Sequence, residues 1–148
     1  MNRRAFAFLT ALGAVAAAAV IVTSGSAQAP ATPTSLHLVG KSQKTVGFFP
    51  KHRPRQGDTL GFGYRLSGDE TGTDRLTCTV IGRDEATCIV QFRLSKGTLT
   101  AQGTGRERDK NAPFAITGGT GAYDGARGTA LVTDTSATTS DIRITLLP

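Results

Sequence analysis

The chain has 148 residues, 39% of them hydrophobic and 19% charged, with a net charge of +6, two cysteines and two histidines. That is the length of one domain. The charge is too mild to require a nucleic-acid partner, the cysteines lack the spacing of a metal site, and no segment after the first thirty residues is long and apolar enough to cross a membrane.

Met1–Arg4 is short and basic, residues 5–22 are uncharged and apolar, and small residues follow in "TSGSAQAPATPT". Charge, apolar run and small-residue site in that order define a secretory signal peptide. It spans residues 1–29, with cleavage expected between 27 and 31. An uncleaved anchor is the alternative, because the run nearly reaches bilayer length. "NRRAFAF" is only a weak twin-arginine signal. Residues 30–148 then form a single secreted domain with no membrane contact after cleavage. Losing Arg3 and Arg4 lowers its charge by two, to +4. Such a domain is long enough for one core.

The mature part alternates with the period of strands. In "TLGFGYRL", Leu60, Phe62, Tyr64 and Leu66 share one face. Leu76, Cys78 and Val80 share another, as do Cys88, Val90, Phe92 and Leu94, and then Ile142, Ile144 and Leu146. Period two with β-branched residues predicts half-buried antiparallel strands, near 35–41, 58–67, 73–81, 87–95, 98–105, 113–117, 123–134 and 140–147. "SGDETG", "GRDEA", "SKG" and "ERDKNAP" are the breaks between them. Eight short strands without a helical stripe predict a sandwich or a barrel. Closing a barrel removes the exposed edges.

"GRDEA" makes a hairpin of the third and fourth strands and sets residue 78 opposite residue 88. Facing positions on neighbouring strands are close enough to bridge. Export places the cysteines in an oxidising compartment. A Cys78–Cys88 disulfide is the expectation, against a free or reactive thiol.

The stretch "FAITGGTGAYDGARGTA", Phe114–Ala130, has the glycines of a phosphate loop. Gly121 is followed by Ala122 and Tyr123, with no lysine, and "ARGTALVTD" reads as strand. The helix N-terminus that would bind a phosphate is missing, so no nucleotide is expected. The glycines serve a corner instead, at Gly118, Gly119 and Gly121, followed by a bend at Gly125 and Gly128. Tyr123 is placed to cover one of the bare glycines.

"AITGGTGAYDGARGTA" is similar to the signature hairpin of plant dirigent proteins and allene oxide cyclases. "GDTLGF", the strand with Cys78 and "GTLTAQG" extend the likeness upstream, and the whole resembles the bacterial exported members. The resemblance implies an all-β fold, an eight-stranded antiparallel β-barrel of calycin-like form. It also implies an apolar cavity for a small hydrophobic molecule and no cofactor. The cyclases carry a carboxylate on the first strand and an asparagine after the Gly-Asp motif. Here the first strand, "SLHLVGKSQ", has no acid, the asparagine position falls at Tyr64, and the family cysteine matches Cys78.

Leu60, Phe62, Tyr64 and Phe92 are therefore candidate ligand contacts. Asp58, Tyr64 and Arg127 are candidate catalytic groups, with Asp124 a further acid. The bland readings are a turn residue for Asp58, a solvated strand arginine for Arg127 and a core residue for Tyr64. "KHRPRQG", Lys51–Gly57, is either a solvated loop or a basic rim that attracts an anionic ligand such as a fatty acid or a wall polymer. His37 and His52 lack a third ligand, so no metal is expected. Three functions follow: an exported barrel that binds and orients a small apolar molecule, a cofactor-free cyclase or isomerase, and an envelope protein that binds polyanions through its basic loop.

Overall fold

The computed structural model describes residues 34–43, 47–106 and 108–148. The expected signal peptide lies outside them. Eight strands follow in chain order: β1 (Thr34–Ser42), β2 (Thr59–Gly68), β3 (Gly72–Val80), β4 (Glu85–Leu94), β5 (Gly97–Arg106), β6 (Asn111–Gly121), β7 (Gly128–Ser136) and β8 (Thr139–Leu146). Each pairs antiparallel with the next, and β1 pairs with β8, giving a closed barrel. No helix occurs among the described residues.

Alternation along each strand sends one set of side chains inward. Leu38, Leu66, Phe92, Leu99, Ile142 and Ile144 are fully buried and come from five different strands. Burying side chains of this size contributes roughly 1.5–3 kcal/mol each. The opposite faces carry threonines and arginines, such as Thr73, Arg75 and Thr77 on β3, all exposed.

The glycine-rich segment departs from its expected boundaries. Gly118–Gly121 do not turn; they stay in β6 and pair with β5, Thr98 opposite Thr120 and Leu99 opposite Gly119. The corner is Ala122–Arg127 instead. A register shift opposite Thr100 and Ala101 inserts Thr117 as an extra residue. A bulge of this kind bends the strand and reverses its facing. Gly119 consequently points towards Tyr123. A Cβ there would collide with the Tyr123 carbonyl and approach the Thr98 carbonyl within 2.7 Å.

Cys78 and Cys88 face each other across β3 and β4 and are bridged, with S–S 2.09 Å. The closed loop is short and constrains the unfolded chain by about 2–3 kcal/mol.

Three hairpin turns meet at one end of the barrel around a buried carboxylate. Glu70, in the β2–β3 turn, has a side chain only 2% exposed. It accepts hydrogen bonds from the Tyr123 hydroxyl in the β6–β7 turn, and from Ser95 Oγ (3.0 Å) and the Lys96 N–H (3.3 Å) in the β4–β5 turn. Lys96 Nζ lies 3.3 Å away. Burial alone would raise the Glu70 pKa; the bonds from Tyr123, Ser95 and Lys96 outweigh it and hold the carboxyl below the usual glutamate range. Burial, and then the bond to Glu70, push the Tyr123 phenol up.

Tyr123→Phe removes the buried donor of Glu70 Oε1 and leaves it only the exposed Lys96 Nζ at 3.3 Å. The expected cost is about 1–3 kcal/mol, read as a lower urea midpoint at unchanged slope. An unchanged midpoint would mean that Glu70 does not clamp the turns.

Candidate ligand cavity

The other end of the barrel is not filled. Between the C-terminal ends of β3, β5 and β7 and the N-terminal ends of β2, β4, β6 and β8 lies a cavity of about 610 Å³. Small side chains on β5 and β6 leave this room: Gly105 and Ala112 face it, and a Cβ at Gly105 would meet nothing within 4 Å. Its walls include Leu60, Phe62, Leu76, Val90, Phe92 and Phe114, together with both cysteines of the disulfide.

Leu60, Phe62, Tyr64 and Phe92 all line this space. Their side chains alternate inward along β2 and β4, so one strand period puts three of the four on a single wall. Phe49 stands at the mouth, 61% exposed, its ring edge-on to Phe62 at 5.1 Å between centroids. Phe48 bridges to Gly61 on the outside of β2. A Cβ at Gly61 would collide with the Phe48 ring, so a glycine on the outward face of β2 seats the loop that carries Phe49.

Asp58 and Arg127 do not line the cavity. Asp58 organises the loop before β2: its Oδ2 accepts from the Arg55 N–H (2.8 Å) and lies 2.8 Å from His52 Nε2. The Arg55 N–H bond, then the contact with His52, hold its carboxyl below the usual range. Arg127 is exposed at the closed end, donating to the Gly125 and Ala126 carbonyls (3.3 and 2.9 Å). Asp124 is exposed in the same turn.

The cavity holds carboxylates absent from those candidates. Asp74 is 5% exposed and lines the floor. It sits opposite Tyr64 on one side and Phe92 on the other. Leu66 and Leu94, one inward position nearer the closed end, no longer line the cavity. Asp74 Oδ1 has no hydrogen-bond partner. Burial raises its pKa to about 7, against the lowering effect of the Tyr64 N–H. Burial, with the nearby Asp134 and Asp74 charges, raises the Tyr64 phenol. Ser140, 4% exposed, donates to Asp134 Oδ1 at 2.7 Å. Asp74 stands two residues from Leu76 and four from Cys78, in phase with both, so the alternation of "TDRLTCTV" gives its direction once the inward face of β3 is known.

An apolar chamber with one protonatable carboxyl on its floor can hold a small molecule and exchange a proton with it at neutral pH. No family model matches the chain, and no curated protein matches its sequence. Solved structures do match. A pyocyanin demethylase superposes with a TM-score of 0.67 at 23% identity, covering 76% of this chain and 99% of its own. Two pterocarpan synthase dirigent proteins superpose with TM-scores of 0.65 and 0.61, each at 20% identity, covering 80% and 86% of this chain and 97% and 98% of theirs. The chain has their barrel fold. The eight antiparallel strands of the closed barrel agree with the expectation drawn from the signature hairpin, and the disulfide fits an oxidising compartment.

The raised Asp74 pKa fixes a pH dependence. Between its ordinary 3.8 and about 7, the folded protein keeps a proton that the unfolded chain has released. Stability is therefore greatest below pH 4 as far as this group is concerned, and falls as pH rises to 7, by a few kcal/mol at about 1.4 per unit. Asp74→Asn should flatten this slope and raise the melting temperature at pH 8. A variant less stable than the parent at pH 8 would place a charge-stabilising partner beside Asp74.

Proposed function

We propose that the protein binds a small, largely apolar molecule inside the barrel and orients it by one polar contact at the floor. The observation that carries this reading is the cavity itself: an opening of about 610 Å³ with Leu60, Phe62, Leu76 and Phe92 on its walls and a single partnerless oxygen, Asp74 Oδ1, in its depth. A volume of this size suits a drug-sized ligand. An orphan polar atom in an apolar chamber is costly until something occupies it. Proteins of the same fold include a pyocyanin demethylase and dirigent proteins of pterocarpan synthesis, which supports a small organic ligand. Export to an oxidising compartment, supported by the disulfide, places that ligand outside the cytoplasm.

A cofactor-free cyclase or isomerase is the second reading, favoured by Asp74 alone. A carboxyl that titrates near 7 can give or take a proton at working pH, beside a conformer held by apolar walls. Protonated, Asp74 donates to a ligand oxygen or nitrogen; ionised, it accepts the proton back.

The test is fluorescence titration with the neutral dye N-phenyl-1-naphthylamine. Saturable binding is expected, weakened at least about tenfold by Phe62→Asp, since a buried aromatic side chain and a desolvated charge both act against the complex. Arg127→Gln at the closed end should leave it unchanged. Binding insensitive to Phe62→Asp would move the site out of the barrel. Absence of binding by any apolar probe would end this reading.

A further inference from the structure

The rim of the cavity is built differently from its interior. Inside, the ionisable side chains are one acid and one phenol, Asp74 and Tyr64. Around the mouth stand Arg53, Arg83, Arg106 and Lys110, facing Asp84, Glu85, Asp109 and the exposed Asp134. Three of these rim acids are engaged. Asp84 pairs with Arg108 at 3.3 Å, Asp109 accepts the Arg106 N–H at 3.1 Å, and Asp134 accepts the Ser140 hydroxyl at 2.7 Å. Glu85 is left as a countercharge for four cations, none of which forms an ion pair among the described residues.

Arg53, Pro54 and Arg83 do double duty. They line the barrel mouth and also a neighbouring cleft completed by Arg55, Gln56 and Gly82, whose wall contains no acid. The backbone holds this arrangement. Gly57 N–H donates to the Val80 carbonyl (2.8 Å) and Val80 N–H to the Asp58 carbonyl (2.9 Å), docking the arginine loop against the end of β3. Asp58 ties the loop to itself through the Arg55 N–H. The Asp58 carboxylate, far from any role in the chamber, is a positioning group for the rim arginines.

Resting on the reading of the barrel as a ligand cavity, we infer that the ligand is an amphiphilic organic acid. Its apolar body fills the chamber and its carboxylate lies at the rim between Arg53 and Arg83. Two planar guanidinium groups offer forked donors that match a carboxylate. Asp74 sets the orientation, because an anionic group at the floor would meet its buried carboxyl. The carboxylate end must face outward and the end that faces Asp74 must be neutral or a hydrogen-bond donor.

A matched pair of probes separates this inference from the cavity reading: 6-hydroxy-2-naphthoate and its methyl ester, titrated at pH 7.5 against the full mature chain. The ester reports the cavity; the ratio of the two reports the rim. The acid should bind about three- to tenfold tighter than the ester in low salt, as expected for exposed charge-assisted bonds. That preference should shrink with added sodium chloride. Arg53→Gln with Arg83→Gln should bring the acid down to the ester and leave the ester unmoved, and the lysine pair should restore only part of the preference. Asp58→Asn should reduce the preference in the same direction. Equal affinities of acid and ester, or an equal loss of both in the glutamine pair, would overturn the inference while leaving the cavity reading intact. Failure of both probes to bind would overturn both.

Discussion

Everything in this molecule depends on the pairing of β1 with β8. Eight residue pairs, from Thr34 opposite Leu146 to Lys41 opposite Thr139, close a ladder that would otherwise end in two open edges. Closure fixes an inside and an outside for every strand at once. It commits Leu38, Ile142 and Ile144 to the interior and His37 and Arg143 to water, where both meet Asp141. A domain of this size could not leave such edges free without risking association through them, and it has no helix among the described residues to cover them.

The interior so created is filled unevenly. Towards the hairpin turns clamped by Glu70, large aliphatic side chains such as Leu66, Leu99 and Ile144 are fully buried. Towards the mouth, β5 brings Gly103 and Gly105 inward, and the chamber opens beside them. A Cβ at Gly103 would press on Phe114, whereas one at Gly105 would enter free space. The first glycine is needed for packing and the second leaves room. Within this chamber a carboxyl such as Asp74 loses water and gains almost nothing in return, which is why its proton is retained to about pH 7. Glu70 is equally buried yet ionises readily, because hydrogen bonds from Tyr123, Ser95 and Lys96 replace the lost water. Two buried acids in one small barrel are thus shifted in opposite directions, Asp74 up and Glu70 down, and the difference is made by donors rather than by depth.

Much of the fold was legible in the residues. Period-two alternation placed all eight strands, and the hairpin across "GRDEA" placed the disulfide, because both depend on local spacing. The β6–β7 boundary was not legible: glycines there read as a corner, while the strand continues through them by means of a bulge at Thr117 that only the β5 pairing reveals. For the cavity, the apolar wall followed from alternation on β2 and β4. The floor did not. Asp74 is in phase with Cys78, but a charged residue next to Arg75 reads as the solvated side of a strand unless the face is already known. Asp58 and Arg127 stand in motifs, and motifs do not say at which end of a barrel a loop emerges.

That separation of ends also explains what the glycine-rich signature can and cannot carry. Its residues build the corner beneath Tyr123, at the end of the barrel away from the opening. A likeness there speaks to how the barrel is sealed. The chamber is shaped by the opposite loops, Gly47–Asp58, Gly82–Asp84 and Arg108–Lys110, together with inward residues of β2 to β8, and none of its lining residues lies in the signature at 115–130. Barrels of one fold can therefore keep the same seal and differ entirely in the mouth. A pyocyanin demethylase and two pterocarpan synthase dirigent proteins share this fold at 20–23% identity. The ligand proposed for this chain must accordingly be sought from its own walls, its own floor acid and its own rim arginines, rather than from the hairpin that makes the likeness visible.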